Sequence, residues 1–377
     1  MNDIEKNINK PQLIFACQWQ QNKSRTWSGT PIGLETALAQ WFDIIDLDLQ
    51  EASLVHKVKD RICNKGKPDF QIGEINRYRK QEKKHIETLT NQTKTNAPIF
   101  QFTEYFIKEP SFIYLDLSVS FVEYFAKTNQ DLFQLSGFDQ LSASTIHKRK
   151  IIQDLYFQSA SGIFTMSHWL RDFLLTNTTL SPSKIHVVGG GINTNKNVIS
   201  NHLKQHKRFL FVGRDFKRKG GPLVLRAFSI LQKKNPELEL YIIGPQINSN
   251  FEKPENCFFI GDVTYETVAY YFNLCDVFVM PSYFEAYGLA FVEALAFGLP
   301  CIGRNVFEMP YFIQHGETGF LLEKDDPSQL AEYMLLALNV SKVTHNVEER
   351  KNYYLSEYSW ENVGSKIAKV ILSKQEG

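Results

Sequence analysis

The sequence predicts an α/β protein with two doubly wound domains that face each other across a cleft. Its 377 residues exceed what one hydrophobic core usually supports. Short apolar runs alternate with longer helical patterns, which is typical of parallel βαβ units. The polar stretch 193–207, rich in Asn, Lys and His, divides two such series. We interpret it as a linker between residues 1–192 and residues 208–360.

Each half of the chain contains six short apolar runs that are predicted to form buried strands. In the N-terminal half these are Leu13–Gln18, Asp43–Leu47, Ile99–Phe102, Phe112–Leu115, Gly162–Met166 and Ile185–Val188. In the C-terminal half they are Phe209–Val212, Leu238–Ile243, Cys257–Ile260, Val277–Met280, Pro300–Ile302 and Gly319–Leu321. Open parallel sheets bind ligands at the carboxyl ends of their strands, so functional residues are expected in the loops that follow these runs.

Composition and charge exclude several classes of protein. The formal net charge is +1, which gives no reason to expect nucleic acid as a partner. The five cysteines form no C-x-x-C pair, so a zinc cluster or a disulfide framework is not expected, and a reducing, cytoplasmic location is favoured. The polar N-terminus has no signal-peptide pattern, and no apolar run reaches the roughly 18 residues that cross a membrane.

Residues 51–94 differ from the rest of the chain in charge. They contain eleven Lys or Arg and six Asp or Glu. A solvated helical face explains such a run. The alternative is a basic surface that rests on the inner face of an anionic membrane, where each cation contributes ~1 kcal/mol.

The segment Ser282–Gly303 is the most informative part of the sequence. A buried strand leads into a loop that contains Glu285, and a helix that contains Glu293 follows. The amides at the start of this helix are unpaired and lie at the positive end of the helix dipole, which suits a diphosphate. They belong to Ala286, Tyr287, Gly288 and Leu289.

The two glutamates flank that helix start and are predicted to bind opposite ends of one extended ligand. A carboxylate only accepts hydrogen bonds, so Glu285 and Glu293 suit the hydroxyl pairs of a sugar ring and a ribose. The alternative for Glu293 is a cap or an ion pair within the core. A glutamate between Val292 and Ala294 is costly to bury without partners, which favours the functional interpretation.

This segment resembles the retaining family-4 glycosyltransferases of the GT-B fold (glycosyl transferases group 1), whose signature is two glutamates separated by seven residues. The likeness continues in Phe209–Phe228, where the family's diphosphate-binding Arg and Lys fall on Arg214 and Lys219. Lys217 and Arg218 are interpreted as solvated surface charges. Further similarity is found at Thr165–Leu174, Val187–Asn193, Gly316–Leu322 and Tyr358–Val363.

The resemblance implies two Rossmann-like domains, with a C-terminal helix within 361–377 that crosses back to the N-terminal domain. It also implies that the N-terminal domain binds the acceptor and that its glycine-rich loop touches the donor. Here that loop has Ser28, Gly29 and Thr30, with Gly33 behind, in place of the usual adjacent glycines.

Asp116 follows a predicted strand at the place where family members carry a His or an Asp that faces the donor sugar. It could orient a sugar hydroxyl or remove the acceptor proton, or it could cap the next helix. Glu104 is a weaker candidate for the same role. His168, next to Ser167, is interpreted as a packed or capping residue.

Two short motifs are interpreted as structural. Asp46-Leu47-Asp48 spells the D-x-D of metal-dependent transferases, but it ends an early strand in the other domain, so no metal site is expected. The run Gly189-Gly190-Gly191 does not match the G-x-G-x-x-G pattern and does not predict a nicotinamide cofactor.

The sequence therefore predicts a retaining, metal-independent glycosyltransferase without a cofactor. Its donor is a nucleotide sugar, with UDP as the guessed nucleotide, and its acceptor is a glycan or lipid-linked glycan of cell-surface polysaccharide or lipopolysaccharide assembly. Two alternatives stay open. One is a two-carboxylate glycoside hydrolase that uses Glu285 and Glu293. The other is a catalytically silent GT-B partner subunit.

Overall fold

The computed structural model describes most of the chain, with several internal gaps. The described residues are 10–49, 96–102, 110–194, 196–200, 207–245 and 253–375. The basic stretch 51–94 and Glu104 lie outside them, as does part of the predicted linker 193–207. Among the described residues, no helix has the length and apolar character needed to cross a bilayer.

The first sheet consists of six parallel strands in the order β2-β1-β3-β4-β5-β6. The strands are β1 Gln12–Cys17, β2 Asp43–Asp48, β3 Ile99–Gln101, β4 Ser111–Leu115, β5 Gly162–Thr165 and β6 Ile185–Val187. Strands β3, β4 and β5 are buried along their whole length, as expected for a parallel sheet covered on both faces.

The second sheet also has six parallel strands, in the order β12-β11-β10-β7-β8-β9. The strands are β7 Arg208–Val212, β8 Glu239–Ile243, β9 Cys257–Gly261, β10 Val277–Val279, β11 Cys301–Arg304 and β12 Gly319–Leu322. The chain reverses its direction of strand addition between β7 and β10. Such a topological switch point opens a crevice at the carboxyl ends of the two strands.

Helices cover both sheets. In the N-terminal half they are α1 Thr30–Leu38, α2 Val119–Thr128, α3 Gln130–Leu135, α4 Ala143–Ser159 and α5 His168–Asn177. In the C-terminal half they are α6 Gly221–Gln232, α7 Tyr265–Leu274, α8 Leu289–Ala296, α9 Met309–Phe312, α10 Pro327–Asn339, α11 Ser341–Glu349, α12 Lys351–Glu357 and α13 Trp360–Ser373. Short 3-10 turns occur at Lys23–Gly29, Pro182–Lys184 and Lys196–Val198.

The last helix, α13, packs against α1 of the first domain. A Cβ atom on Gly33 of α1 would lie 2.4 Å from the Trp360 ring, and one on Gly191 would lie 2.2 Å from it. The indole of Trp360 also donates a hydrogen bond of 2.8 Å to Asn193 Oδ1. These glycines therefore allow one tryptophan to lie against both α1 and the segment that leads to the second domain.

An aromatic cluster joins the two domains beside the crevice. Phe121 of α2 stacks on Phe284, with 5.8 Å between the ring centroids, and Phe307 lies 6.0 Å from the Phe121 ring. The Trp169 ring lies 4.8 Å from Phe121. Phe284 follows β10 and Phe307 follows β11, so this apolar contact fixes two loops of the second sheet against α2 and α5.

The strands match the sequence predictions closely. All twelve predicted strands are present, and their ends differ from the predicted ends by at most two residues. The predicted arrangement of two parallel α/β domains is confirmed.

Candidate functional site

The site lies where the loops after β7 and β10 meet, at the switch point of the second sheet. The two loops approach closely because glycines remove side-chain volume. A Cβ on Gly220, which has φ +79°, would lie 2.4 Å from the Pro281 carbonyl oxygen. A Cβ on Gly213 would lie 2.1 Å from Lys219 Cδ, so the lysine side chain passes directly over the β7 loop.

Lys219 and Glu285 meet across these loops. Lys219 Nζ lies 3.4 Å from Glu285 Oε2, and both side chains are mostly buried. The other described contact of this ammonium group is with Met280 Sδ at 3.5 Å. Glu285 Oε2 is buried and has no hydrogen-bond partner among the described residues. The ammonium and the carboxylate thus retain bonding capacity for a ligand.

Arg218 is part of this cluster, and its interpretation as a solvated surface charge is wrong. Its side chain is only 17% exposed, and Nη1 lies 3.6 Å from Glu285 Oε2. Its guanidinium also donates a hydrogen bond to the Phe284 carbonyl. Lys217 is exposed, as its sequence neighbourhood suggested. The β7 loop turns between the two residues, and the sequence carries no signal for which side chain turns inward.

Arg214 is placed differently from Lys219. Its side chain is 81% exposed, and Nε lies 3.3 Å from Asp262 Oδ1. Its charge still acts on the nearby Tyr265 hydroxyl, whose pKa is raised mainly by burial and lowered in part by Arg214. Arg214 therefore lies at the mouth of the crevice, whereas Lys219 lies inside it.

The helix α8 begins at Leu289, two residues later than the predicted start near Tyr287. Gly288 precedes it with φ +104°, a left-handed conformation that favours glycine. No side chain caps this end, so its first amides are available to an anion. The Ala286 carbonyl accepts a 2.8 Å hydrogen bond from the Trp169 indole of the first domain. The Tyr287 ring is buried against Phe312.

Glu293 is the fifth residue of α8 and is only 7% exposed. Burial raises the pKa of Glu293 to about 7, whereas hydrogen bonds from the Asn193 backbone and the Thr194 side chain and the charge of Lys219 act in the opposite direction. Glu293 is thus bonded to the segment between the domains and is close enough to feel the cation of the crevice.

Asp116 lies just after β4, on the side of the first domain that faces Glu285. Burial raises the pKa of Asp116 to about 6, and the charge of Glu285 raises it further, whereas a hydrogen bond from the Trp27 side chain lowers it. The helix-capping alternative is wrong, because the Ser118 side chain caps α2 by accepting from the Phe121 amide at 3.1 Å. Asp116 is thus a partly buried carboxyl group near the Glu285 carboxylate.

The loop Trp27–Gly29 has three successive residues with positive φ, at 40°, 56° and 86°. The Ser28 carbonyl accepts hydrogen bonds from Asn193 Nδ2 at 2.6 Å and from the Tyr265 hydroxyl at 2.9 Å. Thr30 is buried at the start of α1. The loop predicted to touch the donor is therefore held against the second domain, and Gly33 lies behind it within α1.

Glu308 forms a further link between the domains that sequence reasoning missed. It is 2% exposed and lies just before α9 of the second domain. Its carboxylate accepts hydrogen bonds from the backbone amides of His168 at 2.8 Å and Trp169 at 3.2 Å, and it contacts His168 Nδ1 at 2.7 Å. The His168 ring stacks on Tyr311 at 4.4 Å, so the histidine is packed, as predicted.

The two motifs interpreted as structural have ordinary partners. Asp46 accepts a 2.8 Å hydrogen bond from the Trp19 indole and pairs with Lys23, and Asp48 accepts from the Trp19 amide. Among the described residues, no group of three or more His, Cys, Asp or Glu could hold a metal ion. A Cβ on Gly190 would lie 2.3 Å from the Met166 side chain, so this glycine run serves close packing.

Sequence comparison identifies the second half of the chain. Residues 193–353 match the family described as Glycosyl transferases group 1. An uncharacterized 41.2 kDa protein of the cps region of Klebsiella pneumoniae is 32% identical over 41% of this chain and 46% of its own length. The capsular polysaccharide biosynthesis glycosyltransferase CapM of Staphylococcus aureus is 29% identical over 58% of this chain and 64% of its own. The chain thus spans about half to two thirds of these relatives.

Solved structures share the fold across nearly the whole chain. WaaG, a glycosyltransferase involved in lipopolysaccharide biosynthesis, superposes with a TM-score of 0.64 over 95% of this chain and 99% of its own, at 14% identity. Alr3699/HepE of Anabaena, crystallised with UDP and glucose, gives a TM-score of 0.62 over 96% and 100%, at 12% identity. The chain belongs to the glycosyl transferases group 1 family, whose domain occupies residues 193–353, and it has the GT-B fold.

Proposed function

We propose that the protein is a retaining, metal-independent glycosyltransferase that moves a sugar from a nucleotide sugar to a glycan or lipid-linked acceptor. One observation carries the proposal above the others. Lys219 and Glu285 lie 3.4 Å apart at a switch-point crevice, in front of the uncapped start of α8. A cation and free amides suit a diphosphate, and a carboxylate suits the hydroxyls of the attached sugar.

In the proposed donor complex each group has one task. Lys219 and the amides of Gly288 and Leu289 bind the diphosphate, whose negative charge grows as it departs. Glu285 holds the sugar, and Glu293 holds the ribose. Arg214 at the crevice mouth closes on the diphosphate in exchange for its exposed partner Asp262.

The first domain supplies the acceptor side of the proposed reaction. Asp116 faces the Glu285 carboxylate, and its pKa is raised to about 6, which suits a group that exchanges a proton near neutral pH. It orients a sugar hydroxyl or receives the acceptor proton. The loop with Gly29 and Thr30 closes over the donor. The acceptor attacks the face from which the diphosphate leaves, and no covalent intermediate forms.

The relatives guide the choice of substrates. HepE was crystallised with UDP and glucose, and CapM acts in capsular polysaccharide biosynthesis. We therefore propose a UDP-sugar donor and an acceptor in cell-surface polysaccharide assembly. A cytoplasmic location with the basic stretch 51–94 resting on an anionic membrane would bring the enzyme to a lipid-linked acceptor.

The proposed division of the chain follows the same logic. Residues 1–192 bind the acceptor, 193–207 join the domains, 208–360 bind the donor, and 361–377 complete the first domain. The packing of α13 against α1 supports this division.

The decisive experiment compares Glu293→Ala with the wild-type protein. Binding of UDP-glucose and UDP-N-acetylglucosamine is measured by titration calorimetry, and sugar transfer by release of UDP in EDTA. The proposal predicts metal-free turnover in the wild type and a loss of donor affinity in the variant. Near-normal affinity and turnover of Glu293→Ala would contradict the proposal, as would activity that disappears in EDTA and returns with a divalent ion.

A glycoside hydrolase is the second candidate, because the raised pKa of Glu293 also suits a general acid. In a hydrolase, however, the buried cation Lys219 would have no task. Parallel incubation with UDP-sugars and with nitrophenyl glycosides separates the two activities. Cleavage of the glycosides alone would establish the hydrolase. Donor binding without transfer to any acceptor would instead indicate a silent partner subunit.

A further inference from the structure

Arg218 connects the loop after β7 to the loop after β10. Its carbonyl accepts a 2.9 Å hydrogen bond from the Tyr283 amide. Its guanidinium donates to the carbonyl of the next residue, Phe284. Two consecutive peptide groups just before Glu285 are thus held by one residue, through its backbone and its side chain. The position of the Glu285 backbone follows from this double attachment.

The guanidinium group is itself fixed. Arg218 Nε lies 3.0 Å from Asp215 Oδ2, and the Arg218 amide donates to Asp215 Oδ1 at 3.2 Å. The planar fork of an arginine serves Asp215 and the Phe284 carbonyl at the same time. A lysine keeps the charge, but its single ammonium lacks this geometry.

Arg218 and Lys219 differ in the partners of their charged groups, although both lie near Glu285. The described contacts of Lys219 Nζ are Glu285 and a thioether sulfur, so the ammonium is available to a ligand. The Arg218 guanidinium is engaged by Asp215 and the Phe284 carbonyl, and Nη1 stays 3.6 Å from Glu285 Oε2, beyond hydrogen-bond distance. Its contacts therefore shape the loop, whereas its charge offsets that of the carboxylate.

We propose that Arg218 is a positioning residue that sets the location of the Glu285 carboxylate and thereby governs recognition of the donor's sugar, separately from recognition of its nucleotide. This proposal rests on the proposed function, in which Glu285 holds the sugar and Lys219 holds the diphosphate. It predicts that a change at Arg218 weakens binding of a nucleotide sugar more than binding of the nucleotide alone.

The test uses the variant Arg218→Lys, with Arg208→Lys as the matched control. Arg208 is similarly buried and paired with Glu239, but it lies at the opposite, amino end of β7. Titration calorimetry measures the affinities for UDP and for UDP-glucose. Arg218→Lys is expected to keep the UDP affinity within about twofold and to weaken UDP-glucose binding about tenfold or more, the scale of a charge-assisted hydrogen bond. The control is expected to change neither affinity.

Equal weakening of both ligands would overturn the proposal, because Arg218 would then bind the diphosphate. Unchanged affinities would overturn it as well. A general loss of stability does not produce the predicted difference between UDP and UDP-glucose.

A second measurement does not depend on the donor. Hydrogen exchange of the ligand-free protein is followed at the backbone amides of residues 283–289. Faster exchange in Arg218→Lys than in Arg208→Lys and the wild type is expected, because the loop loses an attachment. Wild-type exchange in Arg218→Lys would overturn the positioning role. If the wild-type protein bound neither UDP nor UDP-glucose, the proposed donor would fail, and exchange would still decide whether Arg218 holds the loop.

Discussion

The Lys219 ammonium lies 3.4 Å from the Glu285 carboxylate, although 65 positions separate the two residues and each belongs to a different loop. Neither group has a complete set of protein hydrogen bonds: Glu285 Oε2 is buried without one among the described residues. An ion pair with spare bonding capacity is costly to bury, so its presence at a switch-point crevice indicates a ligand of mixed charge and hydroxyl character.

Lys219→Ala is expected to reduce UDP affinity about 10- to 100-fold, since a buried charge-assisted contact to a phosphate contributes about 1.5–3 kcal/mol. Lys217→Ala is the control, because it removes the same charge two residues earlier from an exposed position. Calorimetric titration with UDP measures both variants. Equal UDP affinities in the two variants would show that Lys219 does not bind the diphosphate.

The fold could be predicted from the sequence because buried parallel strands appear as short apolar runs. Runs such as Phe112–Leu115 lie between polar segments, and the period of a buried strand leaves little ambiguity. The order of the strands within each sheet follows from no local pattern. It depends on which faces pack together, so the switch point between β7 and β10 became visible only in the structure.

The titration of Glu293 gives a prediction about stability. Burial raises its pKa from 4.5 to about 7, so the folded protein keeps the proton over a pH range in which the unfolded chain releases it. The stabilising contribution is complete below pH 4.5 and is lost as the pH rises through about 7. Relative to Glu293→Gln, the wild type is expected to lose up to about 3 kcal/mol of unfolding free energy across this window.

Urea unfolding at pH 4.5, 6 and 8 measures this difference for the wild type, Glu293→Gln and the exposed control Glu332→Gln. The control is expected to follow the wild type. A difference between wild type and Glu293→Gln that does not change with pH would contradict the raised pKa.

Glu308 is expected to stabilise the contact between the domains. Glu308→Ala removes the acceptor for two backbone amides at the start of α5, which costs about 2 kcal/mol in unfolding free energy. Glu323→Ala provides the control, because Glu323 is exposed and bonds only a side chain, Asn305, in the described structure. Chemical denaturation measures both. A Glu308→Ala variant as stable as Glu323→Ala would mean that this contact contributes nothing to stability.

Gly33→Ala tests the packing of the final helix. The new methyl group would lie 2.4 Å from the Trp360 ring, so the ring must move and the protein is expected to lose about 1–3 kcal/mol. In a Trp360→Ala background the same change should cost much less, because the clash is gone. Denaturant unfolding of the four proteins gives the coupling energy. Additive effects would show that Gly33 and Trp360 do not contact each other in solution.

The candidate site could be predicted only in part. The spacing of Glu285 and Glu293 and the nearby cation Lys219 were visible because they belong to one motif and its family resemblance. Arg218 was misread because the inward turn of a loop side chain depends on partners such as Asp215 and the Phe284 carbonyl. Glu308 was missed because its partners lie 140 positions away in the other domain, and the sequence offers no periodic signal for such a contact.

A crystal structure of the protein with bound UDP tests the central claim most directly. The account predicts the diphosphate within hydrogen-bond distance of Lys219 Nζ and of the Gly288 and Leu289 amides, with the ribose hydroxyls on Glu293. A diphosphate bound elsewhere, with Lys219 still paired only to Glu285 and the start of α8 unoccupied, would contradict it.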